Sequence, residues 1–326
     1  MHDRLAQLVK ENFNIGIINV EILAKHGATV YLLESATEKY ALKEMGMRDK
    51  LEGESKLMEC LISKGISAPK IYHTITGSHV FTDSGLQYIL YEFIDGTMID
   101  LNTAPDWFLT KSAQILGQIQ DALRDCIPLA IGFEQSFFSK DKYIRGEQYI
   151  KDKIRQSEEK NDAPLVMALN ERLEHIQRVS CFEFDCDKFT YVNTHGDFYT
   201  NQIIVRDGEL VTIDWTGGPS CSLACFEVLM SYTYAAPECK DGVIDIEKFK
   251  PYLNEYLKYA PVKLNQYDLK MMPYFIYHYC IFCSFTPPYD DLSEDYFKIA
   301  NHTDKLANWL YENVENLSKG LCALLG

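Results

Sequence analysis

Along the first 95 residues short apolar stretches separated by turn-like segments read mostly as strands, and beyond them apolar positions recur at threes and fours. An opening helix is predicted over residues 3–13. Apolar stretches at 20–23, 29–33 and 40–45, separated by the turn-like segments KHGA and ESATEK, predict a three-stranded antiparallel meander. Residues 50–64 set Leu51, Leu57, Met58, Leu61 and Ile62 near helical spacing, and Gly65 supplies the stop. After Pro69 and the extended segment IYHTI, the stretches GSHVF and LQYILYEFI carry the β-branched and aromatic content of two further strands. The N-terminal region thus reads as five strands with one main helix. Beyond Gly96, the segments PDWFLTKSAQILGQIQDAL, EQYIKDKIRQSEE and APLVMALNERLEHIQRV are amphipathic helices. Two short apolar strands, 202–205 and 210–213, flank the turn residues 206–209 and predict a hairpin inside this helical region, after which the chain returns to helix. The pattern predicts an α+β chain divided into residues 1–95 and 96–326.

Hydrophobic residues make up 47% and charged residues 24%, a balance that excludes a mainly disordered chain. The 326 residues are enough for two lobes with a buried core. Thirty-two Lys plus Arg against 47 Asp plus Glu give a net charge of −15, which argues against a nucleic-acid partner and leaves cationic substrates or plain solubility as its meaning. The N-terminal MHDRLAQLVKENFN lacks the apolar core of a signal peptide, and no apolar run approaches the roughly 20 residues that cross a bilayer, so no membrane partner is expected. Ten cysteines without a repeated spacing predict reduced thiols and a cytoplasmic location. Cys280 and Cys283 stand at C-x-x-C spacing beside His278, but no second pair follows, so they read as buried helix thiols rather than a zinc site.

The most informative stretch is THGDFYTNQIIVRDGELVTIDWTGG, which carries the predicted hairpin. Phosphoryl transfer needs a carboxylate to orient or deprotonate the attacking hydroxyl, and oxygen ligands for Mg²⁺ bridging the phosphates. Asp197 suits the first task, Gln202 and Asp214 the second, and a hairpin brings its two ends together. The stretch resembles the aminoglycoside phosphotransferase and choline kinase family. That family has H-G-D-x-x-x-x-N, an apolar strand, a D-G turn and I-D-[FW]; here stand His195, Gly196 and Asp197, then Gln202 and its strand, Asp207-Gly208, and Ile213-Asp214-Trp215. The resemblance implies a two-lobed protein-kinase-like fold, with a small antiparallel-sheet N-lobe and a larger, mostly helical C-lobe. It implies ATP and Mg²⁺ as cofactors, Asp197 as catalytic base and Asp214 as a metal ligand. The family's Asn position falls on Gln202, and the strand phase favours Gln202 as the second ligand; Asn201, one residue earlier, is the alternative register.

Upstream, Tyr40-Ala-Leu-Lys43-Glu resembles the kinase strand whose Lys pairs with the α- and β-phosphates. The family holds that Lys with a Glu on the next helix, a place that Glu54 fills, with Glu52 and Glu59 as alternatives. Gly27, Ala28 and Thr29 stand where the family has its phosphate-covering loop. Tyr91-Glu92-Phe93-Ile94-Asp95-Gly96 resembles the hinge, where backbone groups at Glu92 and Ile94 would meet adenine and Gly96 would let the chain turn. Glu227 stands where the family has a further structural acid. The implied reaction is transfer of the γ-phosphate of ATP to a hydroxyl of a small molecule, as in aminoglycoside, choline or homoserine kinases. The H-R-D and D-F-G signatures of kinases that act on proteins are absent. Gln202 motivates the rival expectation of a non-catalytic nucleotide-binding or spore-coat-like homologue, against which the retention of Lys43, Asp197 and Asp214 stands. The segment holding Tyr289, Asp290, Asp291, Glu294, Asp295 and Tyr296 has two readings: a contact surface for an amine, or a solvated loop and helix start after Pro287-Pro288.

Overall fold

The computed structural model describes residues 2–26, 28–47, 51–125, 135–215, 220–282 and 284–325. Backbone contacts group the chain into two units. One is Met1–Met98 with Asp125–Ile127 and Gln202–Pro219; the other is Ile99–Arg124 with Pro128–Asn201 and Ser220–Gly326.

The first unit opens with α1 (His2–Phe13), whose Leu5, Val9 and Phe13 recur every four residues and are buried. It continues through β1 (Asn19–His26), β2 (Ala28–Glu34), β3 (Lys39–Gly46), α2 (Leu51–Ser63), β4 (Val80–Asp83) and β5 (Leu86–Glu92). The strands form one antiparallel sheet in the order β1-β2-β3-β5-β4. Pairing of Tyr31 with Leu42, and of Leu42 with Leu90, sets these residues on one face with Leu33, Tyr40 and Tyr88. Together with the buried stripe of α1 they form the core of this unit. The opposite face carries Ala41, Lys43, Met45 and Ile89. The IYHTI segment forms no named strand. Its Tyr72 N donates to Leu90 O and Ile71 makes a single bridge to Tyr91, before a turn at 74–78 redirects the chain.

The chain then runs through β6 (Thr97–Met98), α3 (Asp106–Leu123), α4 (Lys140–Glu159), α5 (Ala163–Val179), β7 (Tyr191–Thr194), β8 (Ile203–Arg206) and β9 (Glu209–Thr212). It ends with β10 (Ser220–Leu223), α6 (Ala224–Ala235), α7 (Ile246–Tyr259), α8 (Gln266–Phe282) and α9 (Glu294–Cys322). In the β8–β9 hairpin Arg206 pairs with Glu209 across the two-residue loop Asp207-Gly208, both at positive φ (53° and 77°), as a hairpin matched to strand twist requires. This hairpin groups with the first unit, although its sequence position suggested the helical region. The reason is backbone pairing: β6 lies against β8, and Thr212 N donates to Ser67 O at 3.0 Å. That pairing also explains Gly96, expected above only as a turn residue. A Cβ there would stand 2.5 Å from Val205 O and 2.6 Å from Ile204 Cγ2, so β8 can approach only a glycine.

The second unit is built around α6, every residue of which is buried, so its sequence is apolar on all sides rather than amphipathic. Within it α8 packs on α6 and α9, α4 on α5, and α3 on α7. Ser139, Asp162 and Ser293 cap α4, α5 and α9 by accepting from backbone N–H groups of the first turn. β7 and β10 pair as a two-stranded ribbon that the hydrophobic pattern did not announce, since four-residue strands are too short to display a period. Cys280 is buried on α8, and Cys283 lies outside the described residues. His278 is enclosed among the rings of Phe137, Phe138 and Phe282, and burial pushes its pKa down to about 3. Among the described residues no helix is long and apolar enough to cross a membrane.

Candidate active site

In the first unit Lys43 sits mid-strand on β3, between Val30 and Ile89, on the face away from the α1 core. Its ammonium donates to the Asp214 carboxylate, which the β8–β9 hairpin delivers just beyond its last strand. Lys43 is largely covered while the Asp214 side chain is 43% exposed, so the pair presents its acid to solvent. Asp214 has φ 58°, in the left-handed region that side chains other than glycine adopt rarely and that recurs at functional sites. The fully buried Trp215, whose Nε1 donates to Thr212 O at 3.0 Å, fixes the chain immediately after it. Ile213 N donates to Gln202 O at 2.9 Å, so the hairpin brings the backbone of Gln202 beside the residue preceding Asp214.

The other residues expected on this unit fall as follows. Gly27 lies outside the described residues. Ala28 and Thr29 start β2, opposite His26 and Lys25, and as neighbours on a strand they face opposite sides of the sheet. Glu54 lies on α2, and its side chain, like that of Glu52, is outside the described residues. Glu59, the other alternative for holding Lys43, instead meets His73 and His79. Glu92 uses its carboxylate on Arg206 at 3.0 Å and its N–H on Lys70 O at 2.8 Å, and Ile94 is buried.

In the second unit β7 leads into His195, Gly196 and Asp197. The fully buried Glu227, on the first turn of α6, accepts from Thr194 Oγ1 and from Phe198 N at 3.0 Å, bracketing this loop on both sides. Burial pushes the Glu227 carboxyl up to about 7 even though those donors, with the Gly196 N–H, favour its charged form. Thr194 Oγ1 also accepts from Gln120 Nε2 at 3.1 Å, and Gln120 Oε1 accepts from Tyr256 OH at 2.6 Å. This buried chain ties the Asp197 loop to α3, α6 and α7. At the other end of β7, Asp268 accepts from Thr190 N and Oγ1 and from Asn265 N. Asp197 N donates to His195 Nδ1 at 3.3 Å, a reading of the imidazole as acceptor at that atom.

Asp197 lines a cavity together with Tyr199, Tyr234, Tyr279, Phe285 and Tyr296. Tyr199 and Tyr234 meet at 5.4 Å between ring centroids, and Phe285 and Tyr296 at 5.5 Å. Glu227, Met230 and Tyr234 share one face of α6, so a single helix both braces the loop and walls the cavity. The spacing of this trio was the one available sequence signal for that wall. Of the acidic, aromatic segment considered above, Tyr296 alone lines the cavity. Glu294 and Asp295 pair with Lys298 on the first turns of α9, and Tyr289 OH donates to Asp304 at 2.6 Å.

The model of the phosphotransferase enzyme family matches residues 21–218. Among solved structures, a spectinomycin phosphotransferase in complex with ADP and spectinomycin is similar over 98% of this chain and 98% of its own, at 14% identity and TM-score 0.61. An amicoumacin kinase in complex with AMP-PNP and Ca²⁺ is similar over 96% and 93%, at 14% identity and TM-score 0.62. A choline kinase from Cryptosporidium parvum is similar over 98% and 99%, at 14% identity and TM-score 0.58. At these identities the likeness is one of fold. No curated protein matches the chain significantly. Because the family match spans more than half of the sequence and includes Lys43, Asp197, Gln202 and Asp214, the chain belongs to the phosphotransferase enzyme family.

Proposed function

We propose that the protein transfers the γ-phosphoryl group of ATP to a hydroxyl of a small organic cation. Asp197 accepts the proton of that hydroxyl at its carboxylate, and the Glu227–Thr194–Gln120 chain keeps the loop rigid while it does so. Lys43 places its positive charge on the α- and β-phosphates, and Glu54 positions Lys43. Backbone groups of Gly27, Ala28 and Thr29 cover the phosphates. Adenine is met by the Glu92 carbonyl, since the Glu92 N–H is taken by Lys70 O, and by the Ile94 N–H.

The donor set fits a hard divalent cation: the Asp214 carboxylate and the Gln202 amide are both oxygen ligands of the kind Mg²⁺ takes. When bound, Mg²⁺ neutralises charge on the phosphates and on the transferring group. Asp214, paired with Lys43 in this structure, supplies the full charge of the site, and Gln202 only a dipole. ATP and the described free cysteines both suit the cytoplasm, where we place the enzyme.

The observation that carries the substrate class is the cavity Asp197 shares with five aromatic rings. A cation over an aromatic face gains about 0.5–2 kcal/mol, so such walls favour an ammonium over a neutral isostere by roughly tenfold. The choline kinase of similar fold acts, by its name, on a hydroxylated cation of this kind. The test is Mg·ATP turnover across hydroxylated quaternary and primary amines, matched with neutral alcohols and sugars of similar size. A kcat/KM preference for the cations of about tenfold or more is expected. Equal or better use of the neutral set contradicts the assignment.

A further inference from the structure

We propose that Glu59, His73 and His79 form a binding site for a divalent transition-metal cation of the Zn²⁺ type, separate from the residues assigned to the nucleotide. The three side chains come from α2, from the segment before the 74–78 turn, and from the residue preceding β4. Their ligating atoms lie within 4.8 Å of one another. His73 Nε2 and His79 Nε2 approach the same oxygen, Glu59 Oε1, at 2.9 and 3.1 Å. Bonds of about 2.0–2.1 Å at tetrahedral angles separate ligand atoms by roughly 3.3 Å, so the two histidine–Glu59 separations need to open by only a few tenths of an ångström.

The turn that joins the two histidines is built to hold them. Thr74 N donates to Ser78 O at 2.7 Å, Gly77 N to Thr74 O at 2.9 Å, and Ile75 N reaches Asn12 O on α1 at 2.7 Å. The imidazole rings consequently stand 4.3 Å apart at 38°. His73 Nδ1 lies 3.3 Å from Gly77 O, and a carbonyl only accepts, so Nδ1 carries the proton there. That tautomer leaves the Nε2 lone pair facing Glu59, the usual arrangement behind a metal-bound histidine. Both imidazoles are aimed at the same carboxylate oxygen, and a cation between the three groups would use that convergence.

Two imidazoles and one carboxylate select a borderline transition ion over Mg²⁺ or Ca²⁺, and three protein ligands leave a position for water. The surroundings agree. His79 is buried and forms the floor, while the side chains of Glu59 and His73 are 46% and 50% exposed and give access from solvent. A bound ion would staple the second half of α2 to the turn ahead of β4.

The test is a Co²⁺ titration of the full chain without nucleotide, followed by displacement with Zn²⁺. One equivalent is expected, with visible d–d absorption, no thiolate-to-cobalt charge-transfer band, and complete displacement by Zn²⁺. His73→Ala and Glu59→Gln, both at half-exposed positions and checked for folding by circular dichroism, are each expected to weaken Co²⁺ at least about tenfold. Asp214→Asn is expected to leave the titration unchanged. Unaltered binding in His73→Ala and Glu59→Gln, a thiolate band, or no binding at micromolar Co²⁺ each overturns the proposal.

Discussion

Glu227 has no exposure to water, yet its carboxyl receives Thr194 Oγ1 and Phe198 N and sits with a pKa near 7. Because that folded-state value lies above the ordinary 4.5, the folded chain holds a proton between about pH 4.5 and 7 that the unfolded chain has lost. This group therefore adds stability below that window and loses its contribution as pH rises through it. Urea unfolding of wild type and Glu227→Gln at pH 5 and pH 7 checks this. The wild type is expected to carry a component of stability that falls with pH and that the variant lacks; identical pH dependence in both contradicts it. Asp197, Lys43 and Asp214 could be nominated from the sequence because each belongs to a short local pattern. Gln120, Tyr256 and the tyrosines of the cavity could not, because their contacts join α3, α6, α7, α8 and α9, and no local spacing encodes which helices meet.

Among elements, the β8–β9 hairpin was the most legible, since Asp207-Gly208 between two apolar runs carries its turn type in the sequence. What the local pattern did not give was its company: β6, whose approach depends on Gly96 having no Cβ, and Ser67 draw it to the first unit by backbone bonds. The ribbon of β7 and β10 was equally silent, four residues a side. Register gives the hairpin its chemical meaning. β8 begins at Ile203, so Gln202 is the last residue before the ladder and Asn201 the one before it. With Gln202 as ligand, Gln202→Ala raises the Mg²⁺ needed for turnover, Asp214→Asn raises it further because it removes a full charge, and Asn201→Ala changes little. Magnesium titrations of the three variants check this order; a defect in Asn201→Ala with a silent Gln202→Ala moves the ligand by one residue.

At the scale of the whole molecule, a chain of net charge −15 holds its candidate site residues in two separately organised units. The Lys43–Asp214 pair belongs to the sheet unit, and Asp197 with its aromatic cavity belongs to the helical unit. The change of character near residue 95 announced the α+β class, while the grouping of Gln202–Pro219 with the sheet unit needed the three-dimensional pairing. The account turns on Asp197 acting on the acceptor rather than on the nucleotide. The most direct test follows ³²P from γ-labelled Mg·ATP into a hydroxylated amine, with wild type and Asp197→Asn compared at matched nucleotide affinity. The account predicts labelled phosphoester from the wild type, a loss of about 10²–10⁴-fold in kcat for Asp197→Asn, and little change in ATP binding. Near-normal transfer by the folded variant, or a parallel loss of ATP binding that accounts for the defect, would contradict it.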